Sequence, residues 1–280
     1  MARTILAVAN QTIGGQALID TILEKAGGSD DAHKAKVVIC VPRSTPTHGN
    51  IIYDDAVYDA AQVRIDLARG FLRQRGIEAI GDVGDPDPYT ATMDAVAEWH
   101  PDEIIVSTFP ATSSGWLRRD IIERIQEATG LPVTHVVTDV DNEGLPFDVT
   151  LVLANRTASS DKLLDCLRAK KGDDGRERLF IVVIPQEGGG GTAAQAARGR
   201  LGQLLDRLRS EGMVCAGMIG DPDPYTAAMN ALQFFRVDDI VISTLPATRS
   251  GWMRADLIER VRRATRKDVE HVEATAPVEA

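Results

Sequence analysis

The sequence GDPDPYTATMDAVAEW at residues 84–99 returns as GDPDPYTAAMNALQFF at residues 220–235. The likeness extends without a gap over residues 84–136 and 220–272, where 30 of 53 positions are identical. A repeat of this length indicates a duplicated domain rather than a short shared motif. The two halves therefore provide an internal comparison, in which agreement reflects a shared origin or a shared constraint.

The length and composition of the chain are typical of a two-domain globular protein. Its 280 residues fit an expectation of about 100–200 residues per domain, and each half is long enough to bury a core. Apolar residues make up 44% and charged residues 26% of the sequence. We predict domains at residues 1–140 and 147–274, with a polar linker over residues 138–147.

Charge and cysteine content limit the environment and the partners. The formal net charge of -10 argues against a nucleic-acid partner and against an anionic membrane surface. The sequence has no apolar run of the roughly 20 residues that a membrane span needs, and its start does not resemble a signal peptide. The spacing of Cys40, Cys166 and Cys215 fits neither a disulfide framework nor a metal clip. These features predict a cytoplasmic protein without a metal site.

Short β-branched runs alternate with helical stretches in both halves. The alternation predicts an α/β fold with two tandem Rossmann-like domains, each an open parallel five-stranded sheet covered by helices on both faces. Asp87 is predicted to cap the helix that begins at Pro88. The strands of the first half are predicted at residues 4–9, 37–41, 77–83, 103–107 and 132–137, and the first two of the second half at 149–154 and 180–184.

Two such halves resemble a tandem member of the universal stress protein family. The short turn that ends the family's first strand corresponds to Asn10-Gln11-Thr12 and Asn155-Arg156-Thr157. The family's Gly-Asp-Pro segment and the Asp before its fourth strand correspond to Gly84-Asp85-Pro86 with Asp102, and to Gly220-Asp221-Pro222 with Asp238. The resemblance covers nearly all of the chain and implies a non-catalytic stress-response protein of Rossmann-like fold.

The glycine pattern of the nucleotide-binding members of that family is missing here. The pattern is G-x2-G-x9-G followed by Ser or Thr, and its positions correspond to Ser107, Pro110 and Asp120-Ile121, and to Ser243, Pro246 and Asp256-Leu257. The family's acidic residue at the end of the first strand is replaced by Asn10 and Asn155. An adenine nucleotide remains a candidate cofactor, but ATP binding in the family's usual manner is not expected.

Polar residues after the first and fourth strands form the candidate ligand or anion site. Ligands of open α/β sheets bind at the carboxyl ends of strands, and helix N-termini attract anions. Hydroxyl groups, a glycine and an arginine clamp suit a phosphate. The alternative is structural, with Ser114 as an N-cap and Arg118 as a solvated side chain. The candidate residues are Asn10, Thr12, Ser107, Thr108, Thr112, Ser113, Ser114, Gly115 and Arg118, and in the second half Asn155, Thr157, Ser243, Thr244, Thr248, Ser250, Gly251 and Arg254.

Several other repeated side chains are interpreted as structural. Asp120 with Arg124, and Asp256 with Arg260, are four residues apart on a helix and predict surface ion pairs. Trp116 and Trp252 can cap the core or stack on a base. Core or interface positions are predicted for Tyr89, Tyr225, His135 and His271.

Three functions remain open at the level of sequence. The first is binding of a nucleotide or another phosphorylated small molecule, and the second is a ligand-free protein-interaction module. The third, an enzyme of the wider nucleotide-α-hydrolase-like group, lacks the HxGH, KMSKS-like and SGGxDS signatures of that class. The resemblance also implies that the halves pair through their last strands as an intramolecular pseudo-dimer, and it allows a further homodimer.

We expect ATP to bind weakly at best, with a dissociation constant on the order of 1 mM or higher, equivalent to about -4 kcal/mol. The reason is the loss of all three glycines from the nucleotide loop in both halves. Isothermal titration calorimetry measures this directly, and a micromolar affinity for ATP would contradict it.

Overall fold

The computed structural model describes residues 3–27, 35–46, 54–110, 120–171, 175–188, 191–246 and 256–274. The chain divides into two compact units. The first comprises Met1–Thr45 and Arg64–Pro146, and the second comprises Pro46–Val63 and Phe147–Ala280. Among the described helices, none combines the length and apolar character that a bilayer crossing requires.

Each unit contains one five-stranded sheet in which every pair of neighbours is parallel. The first sheet has the order β3-β2-β1-β4-β5 and the second has the order β10-β9-β6-β7-β8. The strands of the first unit are β1 (Thr4–Val8), β2 (Lys36–Pro42), β3 (Ala79–Gly84), β4 (Glu103–Thr108) and β5 (Val133–Val137). Those of the second are β6 (Asp148–Leu153), β7 (Arg178–Pro185), β8 (Val214–Gly220), β9 (Asp239–Thr244) and β10 (Asp268–Glu273).

Helices alternate with these strands, which confirms the predicted fold class. In chain order they are α1 (Gln16–Ala26), α2 (Asp54–Gln74), α3 (Pro88–Trp99), α4 (Ile121–Thr129), α5 (Val140–Glu143), α6 (Asp161–Lys171), α7 (Gly191–Ser210), α8 (Pro224–Phe234) and α9 (Leu257–Thr265). Residues 111–119, which lie between β4 and α4, are outside the described ranges.

The central strands are buried on both faces, as parallel sheets require. Leu6 and Val8 of β1 pack in a cluster with residues of α3 and α4. Ile5 and Ala7 point to the opposite face and are also buried. In the second unit, β6 and β7 pack against leucines of α6 and α7. The apolar runs of the sequence are therefore continuous rather than alternating.

The repeated GDPDP segment forms the same connection in both units. Asp85 accepts a hydrogen bond from the Asp87 backbone N–H at 2.8 Å, and Asp87 accepts one from the Thr90 N–H at 3.0 Å. Pro88 occupies the first turn of α3. Asp223 caps α8 in the same way through Thr226 at 2.9 Å. The predicted cap by Asp87 is confirmed, and Asp223 repeats it in the second unit.

Two glycines of this segment are required by packing. A Cβ added at Gly84 would lie 2.6 Å from the Cβ of Ala91, and one at Gly220 would lie 2.6 Å from the Cβ of Ala227. Real carbon atoms do not approach so closely, so the helix that follows each glycine could not keep its distance from the sheet.

The repeated Asp before the fourth strand also has a structural role. Asp102 accepts a hydrogen bond from the Thr4 backbone N–H at 2.7 Å, and Asp238 accepts one from Val149 at 2.7 Å. Each carboxylate thus ties the start of a first strand to the start of its neighbour.

The segment predicted as a polar linker is partly packed. Thr138 and Val140 are each 1% exposed, and Phe147 is 6% exposed. A Cβ at Gly15 would lie 1.9 Å from the Thr138 Cγ2 atom, so this segment contacts the turn before α1. Polar composition suggested a free connection, but three of its residues belong to the core.

Replacing Asp87 and Asp223 with Ala should destabilise each unit by about 1 kcal/mol, the usual cost of losing an N-cap. The matched variants Asp87→Asn and Asp223→Asn keep a capping oxygen and should retain nearly all of the stability. Chemical denaturation compares the two pairs, and equal losses in the Ala and Asn variants would contradict the capping role.

Candidate functional site

The strand order places the described candidate residues, at or just after the ends of the first and fourth strands, at the carboxyl edge of each sheet. In the first unit β1 lies between β2 and β4, and in the second unit β6 lies between β7 and β9. The chain moves outward in opposite directions from the central strand, and ligands of open α/β sheets bind outside the carboxyl ends of the strands where the order reverses. The residues that follow β1 and β4, and β6 and β9, border that point.

Two of the predicted hydroxyl groups tie the central strand to its neighbour. Thr12 Oγ1 donates to the Ser107 carbonyl oxygen at 3.3 Å, and Thr157 Oγ1 donates to the Ser243 carbonyl oxygen at 3.1 Å. All four residues are at most 2% exposed. The structure thus brings these predicted residues together. The threonine hydroxyl groups and the serine carbonyl oxygens are partners of each other.

Asn10 and Asn155 connect the central strand to its other neighbour. The Asn10 Nδ2 group donates to the Pro42 carbonyl oxygen at 2.7 Å, and Asn155 Nδ2 donates to the Pro185 carbonyl oxygen at 3.1 Å. The opposite amide orientation would place two oxygen atoms against each other, so the bond fixes which atom is the oxygen.

The oxygen atoms of the same two side chains have no donor among the residues that the structure describes. Asn10 and Asn155 are both 7% exposed, and in the described part of the chain neither Oδ1 atom has a hydrogen-bond partner. A buried acceptor without a donor costs about 1–3 kcal/mol. Because the feature occurs in both units, it is a property of the duplicated site rather than of one half.

Thr108 and Thr244 bond to the two repeated histidines. Thr108 Oγ1 lies 2.9 Å from His135 Nε2, and Thr244 Oγ1 lies 2.8 Å from His271 Nε2. Desolvation lowers the pKa of both imidazoles from the ordinary 6.5, so both are neutral above that pH. No group of three His, Cys, Asp or Glu side chains that could hold a metal ion occurs in the described ranges.

Thr138 is a residue of this site that sequence reasoning missed. Its Oγ1 atom lies 3.0 Å from Ser107 Oγ, and both atoms are buried. The corresponding residue of the second unit is Ala274, which is fully buried. Ser243 is only 1% exposed. Because alanine has no hydroxyl group, the Ser243 Oγ atom has no hydrogen-bond partner among the described residues. Comparing the two halves at this position was the one available signal.

The loops predicted to carry the anion contacts lie outside the described residues. This applies to Thr112, Ser113, Ser114, Gly115, Trp116 and Arg118, and to Thr248, Ser250, Gly251, Trp252 and Arg254. Asp120 and Asp256, which directly precede α4 and α9, adopt the left-handed φ of 47°.

The predicted ion pairs of these helices are replaced by ring contacts. Within the described ranges, no ion pair joins Asp120 to Arg124 or Asp256 to Arg260. The Arg124 guanidinium instead lies over the Tyr89 ring, 4.0 Å from its centroid, and Arg260 lies 4.2 Å from that of Tyr225. The four-residue spacing was read correctly as one helix face, but each arginine packs across to α3 or α8, where a flat cation–π contact forms.

Ser107→Ala should destabilise the first unit by about 1–3 kcal/mol, because it leaves the buried Thr138 hydroxyl without a partner. Ser243→Ala should cause no loss, since it removes a hydroxyl that already lacks one. Chemical denaturation of the full chain measures both changes, and equal losses for the two variants would contradict this account.

Comparisons with known proteins find likeness at the level of structure only. No family profile matches the sequence, and no curated protein sequence matches it. A universal stress protein from Archaeoglobus fulgidus DSM 4304 is 16% identical with a TM-score of 0.35, over 97% of this chain and 96% of that chain. A putative universal stress protein from Pseudomonas aeruginosa UCBPP-PA14 is 15% identical with a TM-score of 0.32, over 98% and 94%. The strand order of the two sheets, rather than either likeness, establishes the fold class, and the chain is similar to these two universal stress proteins along nearly all of its length.

Proposed function

We propose that the chain is a non-catalytic, cytoplasmic protein of universal stress protein type, which binds a nucleotide or another phosphorylated small molecule. The site would lie at the loops after β1 and β4 in the first unit and after β6 and β9 in the second. The observation that carries the proposal is the pair of buried amide oxygens of Asn10 and Asn155, which need a donor at the point where the strand order reverses.

The chemistry of this amide oxygen narrows the ligand class. An oxygen that accepts hydrogen bonds calls for a ligand hydroxyl or amine, not for an anion. Nucleotides and sugar phosphates carry such donors together with a phosphate. The phosphate would be held by residues 112–118 and 248–254, where the sequence supplies hydroxyl groups, a glycine and Arg118 or Arg254.

The other polar residues of the site take a supporting role in this proposal. The hydroxyl groups of Thr12 and Thr157 donate to backbone carbonyls, and Thr108 and Thr244 bond to histidines. Such buried, paired hydroxyls hold the strand ends at a fixed separation. They would position the loops that contact the ligand.

The second candidate is a ligand-free protein-interaction module. It is favoured by Val137, which is 50% exposed on the edge strand β5. An exposed apolar residue on an unpaired strand edge suits association with another chain or domain. The proposed intramolecular pairing of the two halves, and a further homodimer, belong to this class of contact.

An enzymatic role has less support from the described side chains. Desolvation is the main cause that raises the pKa of the Cys40 and Cys166 thiols to about 12, which keeps them protonated and weakly nucleophilic at neutral pH.

Native mass spectrometry of protein purified without added ligand, followed by titration with AMP and ATP, tests the proposal. We expect a co-purified or added phosphorylated molecule to bind, with a dissociation constant for ATP no lower than about 1 mM. Replacing Arg118 and Arg254 with Ala should weaken its binding by about 1–3 kcal/mol per site, the range for hydrogen bonds to charged groups.

The matched control is Arg124→Ala with Arg260→Ala, because these arginines lie on α4 and α9, after the candidate loops, and contact tyrosine rings. The control should leave ligand affinity unchanged. Equal affinity of the Arg118/Arg254 double variant and the unmodified protein would refute the proposed site.

A further inference from the structure

The turn after β6 carries a charged pair that the first unit lacks. Arg156 Nε and Nη2 donate to the two carboxylate oxygens of Glu187 at 2.8 and 3.1 Å. Glu187 follows the end of β7, so the pair bridges two adjacent strand ends. The corresponding residue of the first unit is Gln11, which cannot form an ion pair.

This forked contact lies at the surface. The Arg156 and Glu187 side chains are 64% and 43% exposed, and exposed ion pairs stabilise proteins little. The Nε and Nη2 groups of an arginine can form two parallel hydrogen bonds with either a carboxylate or a phosphate. An oxyanion from solution can therefore replace Glu187 on Arg156 if the displaced carboxylate has another partner.

Arg200 of α7 is the candidate for that partner. Its Nε and Nη2 atoms are buried, and in the described part of the chain they have no hydrogen-bond acceptor. These two nitrogens form the same edge that Arg156 uses to hold Glu187. Helical side chains point toward the N-terminus of their helix, and for α7 that end follows Glu187 in the chain. The Arg200 charge also contributes to lowering the pKa of Glu187, after the larger effect of Arg156.

We propose that Arg156 is an oxyanion receptor of the second unit, and that Glu187 occupies it until a phosphate or carboxylate group binds and Glu187 turns to the buried edge of Arg200. Glu187 thus acts as a built-in competitor. Before the exchange only Arg156 is paired, with Glu187. After it Arg156 holds the oxyanion and Arg200 holds Glu187, which offsets the loss of the surface pair. The inference takes the class of ligand from the proposed function, because Arg156 lies between two residues of the proposed site, Asn155 and Thr157.

The test is a titration of the full chain with inorganic phosphate, followed through the NMR signals of the arginine Nε–H groups. Glu187→Gln should raise phosphate affinity about tenfold, the factor for about 1.4 kcal/mol, because the competing charge is gone. Arg156→Gln should lower it by about tenfold or more on the same basis. Arg200→Gln should lower it several-fold, since Glu187 then has no second partner.

The matched control is Arg198→Gln, an exposed arginine two residues away on the same helix, which should leave phosphate affinity unchanged. In the unmodified protein, phosphate should shift the Nε–H signals of both Arg156 and Arg200. Unchanged affinity in Glu187→Gln or in Arg156→Gln would overturn the receptor, and an unaffected Arg200→Gln variant would overturn the exchange. Failure of the Arg118 and Arg254 site would refute the proposed function alone, because those variants leave Arg156, Glu187 and Arg200 in place.

Discussion

The parallel pairing of one buried strand with two neighbours is the constraint on which each unit depends. Leu6 of β1 pairs with Val38 of β2 on one side and with Ile104 of β4 on the other. With helices over both faces, water cannot reach the strand, so its backbone groups must bond within the sheet. The burial continues past the end of the strand to Asn10 and Thr12. Polar side chains in such a position must also find partners, and those partners are the carbonyl oxygens at the ends of the two flanking strands.

Features that depend on neighbouring residues could be predicted from the sequence. The cap by Asp87 needs only Pro88 and Thr90, and the buried strands appear as short apolar runs, so both were predicted correctly. The two parallel sheets followed from the alternation of strands and helices. The bond between Ser107 and Thr138 could not be predicted, because the residues are 31 positions apart and Thr138 stands in a segment of polar composition. The ring contact of Arg124 was missed for the same reason, since Tyr89 belongs to a different helix.

The two units also show that the same fold can exchange charged residues at the amino ends of its strands. At the amino ends of the strands, Glu103 of the first unit corresponds in register to Asp239 of the second, because they pair with Ile5 and Thr150 at the same position of the central strand. Glu103 pairs with Lys25 at 2.8 Å, whereas Lys170 lies 3.5 Å from the shorter Asp239. Arg178 reaches both Asp148 and Asp239, so the longer arginine offsets the shorter acid. The carboxylate is buried in the first unit and 16% exposed in the second, and it is paired in both, since an unpaired buried charge would be strongly destabilising.

At the carboxyl ends of the strands, the same comparison separates the buried residues that hold the strand junction from the exposed residue that varies. Asn10, Thr12 and Ser107 have identical counterparts in Asn155, Thr157 and Ser243, and these residues bond to backbone carbonyls or supply them. The exposed residue between the first two differs, since Gln11 is replaced by Arg156. A buried residue whose partner is the backbone cannot change without breaking the strand junction, whereas an exposed neighbour can change freely. The difference between the two units at this turn therefore falls on the exposed position, where a single substitution adds a charge without disturbing the sheet beneath it.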